Sequence, residues 1–160
     1  MGSDKKITPV DVFLTVFESK DQKWGNDEGK NRLLGNDLID KLARLLNTHG
    51  MNSQKFYQRQ LGLTKGLSEI VSFYSGVSFK QWRNEYIMLG AKELLVETDY
   101  KLNDIAVRLG FAGIGSFSHW FIAMEKVTPA SWRRVAKSRQ AKRDKQILLD
   151  AKKSMQRPKL

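Results

Sequence analysis

The chain has no cysteine, so it can form neither disulfides nor a thiolate metal site. It has no run of 18 apolar residues, which excludes a membrane-spanning helix of ordinary length. No apolar signal core follows the N-terminus, and a reducing cytoplasm, at the nucleoid, is the expected compartment. Histidine occurs only twice, at His49 and His119, 70 positions apart. There is no GxxxxGK[ST], HExxH or GxSxG motif. The acidic residues are scattered among Lys and Arg, as on surface helices, rather than set as an acid–base pair. Catalytic residues, a metal site and a cofactor are therefore not expected.

Acidic residues are in deficit overall: 28 Lys/Arg against 17 Asp/Glu give a net charge of +11 in 160 residues. The excess is concentrated at one end. Residues 133–160 hold 11 of the basic and 2 of the acidic residues, a net +9, leaving +2 for the other 132. Such a tail is either simply solvated or attracted to a polyanion such as DNA, RNA or an anionic membrane.

What is present is helical periodicity. Thr8-Pro9-Val10-Asp11 has the form of a helix start, with Thr8 as cap and Pro9 at the first position. Val10, Phe13, Leu14 and Phe17 would then share a face, although VFLTVF also suits a strand. KDQKWGNDEGK, residues 20–30, reads as a polar loop. From Asn36 or Asp37 a helix is expected to reach His49, with Leu38, Leu42, Leu45 and Leu46 on its apolar stripe and Gly50 at its end. Ser53 caps a short helix to about Gln60, and another covers Lys65 to Tyr74. Ser78 caps a long helix, Phe79 to Val96. A further helix starts at Asp99 or Lys101 and ends near Leu109. Ser116 opens the next, to about Lys126, and a last one runs from Ala130, with room to extend into the basic tail.

The most informative stretch, Thr98 to Arg133, has an upstream copy. Leu67 to Arg83 (LSEIVSFYSGVSFKQWR) aligns without a gap on Phe117 to Arg133 (FSHWFIAMEKVTPASWR), bringing Ser68 onto Ser118, Ser78 onto Thr128 and Trp82-Arg83 onto Trp132-Arg133. Leu61-Gly62-Leu63 matches Leu109-Gly110-Phe111, with a turn two residues shorter in the first copy. The repeat implies two helix-turn-helix units joined by the Phe79–Val96 helix. Gly62 and Gly110 stand where the chain reverses and a positive φ is needed. Ile105 and Ala106 line the inner face of one helix, and Phe117 and Phe121 that of the next. Trp82 and Trp132 read as core anchors. The outer face of the second unit would carry Gly115, Ser116 and His119, the face that a helix-turn-helix sets in the major groove.

At these residues the chain resembles the DNA-binding domain of the AraC/XylS transcriptional regulators, from about Asp37 to Val135. The motifs are Asp104-Ile105-Ala106, Leu109-Gly110-Phe111, Ser116-Phe117-Ser118, Phe121, Thr128-Pro129 and Trp132-Arg133, with Phe79-x-x-Trp82 and Ala91 to Leu95 in the linker. The resemblance implies an all-α, homeodomain-like, seven-helix fold of two lobes, one recognition helix going to each of two successive major-groove segments. The expected organisation is an N-terminal extension (1–35), a first helix-turn-helix subdomain (36–78), a linker helix (79–97), a second subdomain (98–136) and a basic tail (137–160). A linker of about 18 residues spans about 27 Å, a length suited to groove segments about 34 Å apart.

Base contacts are expected from Lys65, Ser68 and Glu69 in the first unit and Gly115, Ser116 and His119 in the second. Phosphate contacts are expected from Ser118, Lys101, Arg133, Arg134, Lys137 and Arg139. The chain departs from the family pattern in placing Glu69 and His119 where arginines are common. Lys126 replaces the usual glycine before Thr128-Pro129, and Ile87 an arginine of the linker. Gly90 weakens that helix by about 1 kcal/mol relative to alanine. The expected function is sequence-specific binding of double-stranded DNA by a transcription regulator, with RNA polymerase a further partner, no membrane partner, and a monomer compatible with the sequence. The N-terminal extension is too short for the effector-binding barrel that many such regulators carry, so the chain is either a stand-alone regulator or one lacking its sensor. Two alternatives stand beside it: a protein-interaction adaptor on a degenerate helix-turn-helix scaffold, and a nonspecific nucleic-acid binder acting through the tail.

Overall fold

A computed structural model describes residues 7–10 and 37–155. The helical face expected for Phe13, Leu14 and Phe17, its strand alternative and the loop at 20–30 lie outside these. Pro9 and Val10 are helical, as the cap pattern at Thr8 implies. Seven further helices and no strands occur among the described residues: α1 (Asp37–His49), α2 (Gln54–Gln60), α3 (Leu67–Ser75), α4 (Phe79–Glu97), α5 (Leu102–Arg108), α6 (Ile114–Glu125) and α7 (Pro129–Met155). Helix α4 packs on α1 and α3 at one end and on α5 and α7 at the other. Its 19 residues make a helix about 28 Å long that runs between the two units.

The repeat is preserved down to single hydrogen bonds. Helix α2 ends with Gly62 N donating to Arg59 O (3.1 Å) and Leu63 N to Gln58 O (2.7 Å). Helix α5 ends with Gly110 N donating to Val107 O (3.0 Å) and Phe111 N to Ala106 O (2.9 Å). Both are Schellman ends, and both glycines have positive φ, 71° and 87°. The helices that follow the recognition helices are capped alike: Ser78 Oγ accepts from Gln81 N and Thr128 Oγ1 from Ser131 N, each at 3.1 Å.

Burial of apolar surface holds these pieces together. In the first lobe Leu42, Leu46, Tyr57, Leu67, Val71, Phe79, Trp82 and Tyr86 are fully buried or nearly so. The indole of Trp82 stacks on Tyr86 and donates through Nε1 to Ile7 O (3.1 Å), tying the N-terminal segment to the lobe. In the second lobe Phe111, Phe117, Phe121 and Trp132 make a chain of ring contacts, closing on Ile105, Ala106 and Leu109. On α1 the buried stripe is Ile39, Leu42, Ala43 and Leu46. That is a correction of the expected Leu38–Leu42–Leu45–Leu46 stripe: Leu38 and Leu45 are half-buried, and the helix is rotated so that Ile39 and Ala43 meet its neighbours. Ile87 and Gly90 are buried within α4. The positions that depart from the family's linker therefore serve packing.

The lobes also touch directly. Met51 N donates to Leu109 O (2.7 Å), joining the turn after α1 to the turn after α5. Gly50 and Gly110, both at positive φ, allow this approach. A Cβ on Gly50 would sit 2.1 Å from Leu109 O, and one on Gly110 would sit 2.5 Å from His49 O. The buried Tyr57 hydroxyl donates to Gly50 O and supports the same turn.

Helix α6 ends at Lys126, which has φ +65° where the first unit has Gly76 at φ +82°. Lys126 is the only non-glycine residue at positive φ among those described. A left-handed conformation costs a side-chain-bearing residue about 1–2 kcal/mol, and glycine returns part of that through its freer unfolded state. Lys126→Gly is expected to stabilise the protein by about 0.5–1 kcal/mol, seen as a raised midpoint in thermal or urea unfolding.

Candidate nucleic-acid interface

In the second unit Phe117 and Phe121 face the core, so the opposite side of α6 carries Gly115, His119, Ile122 and Ala123, all exposed. The helix opens at Ile114, two residues before the expected start at Ser116. The cap is supplied from another helix: Asn103 Oδ1 on α5 accepts from Ile114 N (3.2 Å). Ser116 lies inside the first turn, and its exposed hydroxyl donates back to Gly113 O (3.1 Å). Gly115 has open space around its missing Cβ and offers only backbone to a ligand. His119 is exposed in the middle of the helix. As a neutral imidazole it carries one donor and one acceptor.

The first unit is less complete. Helix α3 begins at Leu67, the residue equivalent to Phe117, so it lacks the three residues by which α6 precedes that position. Its N-cap, Gly66, has φ +91°, which leaves Lys65 in the preceding turn, exposed but off the helix. The expectation of a helix from Lys65 is corrected accordingly. Gln58 Oε1 accepts from Leu67 N (3.3 Å), a cap lent by α2 as Asn103 is lent by α5. Ser68 does not face outward: it is half-buried, and its Oγ accepts from Phe79 N (3.4 Å) at the start of α4. Glu69 is exposed in the first turn of α3, where a carboxylate suits the helix dipole. Glu69, Ser72 and Phe73 make up the outer face of this helix.

The basic residues divide into engaged and free. Arg133 donates to three carbonyl oxygens: Leu95 O from Nε (3.0 Å), Tyr100 O from one terminal nitrogen (2.7 Å) and Thr98 O from the other (3.3 Å). Burial pushes its pKa below the ordinary arginine value, against the opposing pull of Asp99. Its equivalent in the first unit, Arg83, donates to Asn52 O (2.8 Å), the residue that precedes α2 as Tyr100 precedes α5. The arginine of the Trp-Arg pair is thus a repeated strut, from α4 to the loop before α2 and from α7 to the loop before α5. Lys137 Nζ contacts Asp99 Oδ1 (2.6 Å) and Thr98 O (2.9 Å), and its hydrogen bond and charge hold the Asp99 carboxyl below the usual range. Arg133 and Lys137, expected at phosphates, are thus both engaged within the fold, with backbone carbonyls and, for Lys137, Asp99. Lys101, Arg134 and Arg139 are exposed, and Ser118 is half-buried beside His119. Arg139 borders an open groove with Val96, Val135 and Ile147.

The basic tail is helical: α7 continues to Met155, and every residue from Ala141 to Met155 is exposed. No group of three or more His, Asp or Glu side chains converges as a metal site among the described residues, and no described helix is long and apolar enough to cross a membrane. Sequence reasoning missed Asn103 and Gln58 as caps and Phe73 and Ile122 on the outer faces. The first two could have been sought as amide side chains one or two turns before each reversal. The last two were legible from the repeat itself, which sets Ser72-Phe73 over Ile122-Ala123.

Two helix-turn-helix units of this geometry define a class, and comparison with known proteins agrees. Residues 59–135 match the family described as "Helix-turn-helix domain", of AraC type. The chain is 35% identical over 66 residues to the regulatory protein PocR of Salmonella typhimurium, covering 41% of this chain and 22% of PocR. It is 29% identical over 107 residues to the HTH-type transcriptional regulator ExsA of Pseudomonas aeruginosa, covering 64% of this chain and 38% of ExsA. Among solved structures it is similar to the C-terminal domain of the two-component response regulator yesN from Fusobacterium nucleatum, with TM-score 0.53 and 27% identity over 60% of this chain and 94% of that one. It is also similar to the DNA-binding domain of AdpA, solved in complex with a target DNA, with TM-score 0.56 and 19% identity over 65% and 93% of the two chains. Residues 59–135 are thus similar to helix-turn-helix domains of AraC type. The chain spans well under half the length of these two curated relatives.

Proposed function

We propose that this protein is a double-stranded DNA-binding transcriptional regulator that sets α3 and α6 into successive major-groove segments. The observation that carries this reading is the pair of like-built units linked by α4, a helix about 28 Å long, and joined again through Met51 and Leu109. Exposed Lys101, Arg134, Arg139 and the distal α7 lysines supply sequence-independent affinity. Base reading rests on His119 and the backbone at Gly115 in the second unit, and on Glu69, an acceptor suited to the cytosine amino group, in the first. Glu69 also repels phosphate, and α3 is short at the end that normally meets base edges. The second unit therefore carries more of the discrimination. RNA polymerase is the partner through which a regulator so bound would act.

Selection from random duplexes, followed by binding to the selected and a scrambled site, tests this. The full chain will prefer the selected site, and a chain ending at Ala141 will keep that preference with a shallower salt dependence. The cut spares Lys137 and Gln140, whose bonds to Asp99 and Glu97 belong to the packed fold. Equal affinity for both duplexes, lost with the tail, would identify a nonspecific binder. No binding at low salt would leave an adaptor. His119→Ala will reduce the preference about 10-fold or more without altering thermal stability; unchanged discrimination would remove His119 from the readout.

A further inference from the structure

The helices of this fold begin in different ways. Helices α2, α4 and α7 start on Ser53, Ser78 and Thr128, whose hydroxyls accept from the backbone amide three residues on, each at 3.1 Å. The recognition helices do not cap themselves: α3 and α6 open on Gly66 and Gly113, which have no side chain to accept such a bond. Their caps cross over from the preceding helix. Gln58 Oε1 on α2 accepts from Leu67 N (3.3 Å) and is itself held by Gln54 Nε2 (3.3 Å). Asn103 Oδ1, in the first turn of α5, accepts from Ile114 N (3.2 Å). Helix α5 opens on Lys101 with no side-chain cap at all. Both lent groups are neutral amides, although a carboxylate would suit the helix dipole better.

We propose that Asn103 and Gln58 are positioning residues for sequence reading: each ties the first turn of a recognition helix to the helix before it, through an acceptor that adds no negative charge where the duplex passes. The inference rests on the DNA-reading function proposed above. In a helix-turn-helix the N-terminal residues of the second helix meet base edges while the first helix crosses the backbone. A cap on the second helix's own first residue would fix that helix alone. A cap lent across the turn also fixes its angle to the helix on the backbone, and so the placement of Gly115 and His119. Asn103 is exposed, so its replacement removes the bond without opening the core.

The experiment uses the full chain and the duplex recovered by selection, with single base-pair replacements in each half-site. Asn103→Ala is expected to reduce preference for the selected over a scrambled duplex about 3- to 10-fold, the usual effect of one cap. The loss should be confined to the half-site that His119→Ala also affects, and Gln58→Ala should act on the other. Asn103→Asp keeps the acceptor. It is expected to restore the preference while weakening binding to both duplexes alike, because its charge lies near phosphate. Amide hydrogen exchange at Ile114 reports the bond itself, faster in Asn103→Ala and unchanged in Asn103→Asp. Ser53→Ala removes a cap of ordinary kind from a helix that reads no bases, and should lower the unfolding midpoint without changing preference. Unchanged preference in Asn103→Ala overturns the inference while leaving DNA reading in place. So does an Asn103→Asp variant that discriminates no better than the alanine, or an equal loss of preference in Ser53→Ala. If selection returns no preferred duplex, the DNA-reading function falls and this inference with it.

Discussion

Gly50→Ala will destabilise the protein by about 3 kcal/mol or more and will uncouple the two lobes. Gly50 sits at φ +66°, and a Cβ there would lie 2.1 Å from Leu109 O and 2.4 Å from Leu109 C. Both obstacles are backbone of the other lobe, so no rotamer change relieves the clash. The chain must either move α1 away from the α5 turn, losing the bond from Met51 N to Leu109 O, or shift α5 within its own packed unit. Gly62→Ala is the control, because Gly62 has φ +71° but nothing within 4 Å of the added Cβ. It should cost only the left-handed strain, about 1–2 kcal/mol. Urea unfolding of the two variants measures the difference. Equal losses would mean that the lobes are not held by this approach. In DNA binding, Gly50→Ala should reduce preference for a selected site more than affinity for scrambled DNA, because a loosened joint no longer sets the spacing between α3 and α6.

Arg133→Ala has the second largest expected effect, and its character distinguishes two roles for one residue. As a strut, Arg133 holds the C-terminal end of α4 and the entry to α5 through three carbonyls. Hydrogen bonds from a charged donor contribute about 1.5–3 kcal/mol, and a loss of about 2–3 kcal/mol is expected because the carbonyls are only partly shielded from water. At about 2–4 °C per kcal/mol for a chain of this size, the midpoint should fall by roughly 4–12 °C. The salt dependence of DNA binding should be unchanged in the folded variant, whereas removal of a phosphate contact would lower the slope by about one. Arg133→Lys should rescue little, since a single ammonium cannot reproduce the planar fork that reaches carbonyls of Leu95, Thr98 and Tyr100. A stable variant with a reduced salt slope would return Arg133 to the phosphate contacts.

Much of the architecture was legible because it rests on local chemistry. Gly62 and Gly110 mark reversals that need positive φ, Ser78 and Ser53 mark helix starts, and the gapless match of Leu67–Arg83 to Phe117–Arg133 exposes the duplication. Each depends on backbone conformations or hydrogen bonds within a few residues, so a pattern of residue types suffices to find it. The candidate interface was legible only in part. Glu69, Gly115, Ser116 and His119 are exposed on the recognition helices, as the repeat implied. Ser68 turned inward and Lys65 fell outside α3 because a left-handed Gly66 ends the turn later than periodicity suggested. The intrachain bonds of Arg133 and Lys137, expected at phosphates, were not legible, because a charge in a sequence does not announce its partner. Their partners at 95–100 lie more than 30 residues away.

Taken by itself, then, the amino-acid sequence determined the helices, the reversals between them and the use of one unit twice, since hydrogen-bond capping and apolar periodicity act over one or two turns. Only the tertiary structure decided which polar side chains remain available to a partner. It also decided that α3 is cut short at its N-terminal end, and that the lobes are locked together where Gly50 meets the α5 turn. Those outcomes depend on contacts between segments distant in the chain, where close packing and the requirement to satisfy buried carbonyl and amide groups override the preference of any single residue.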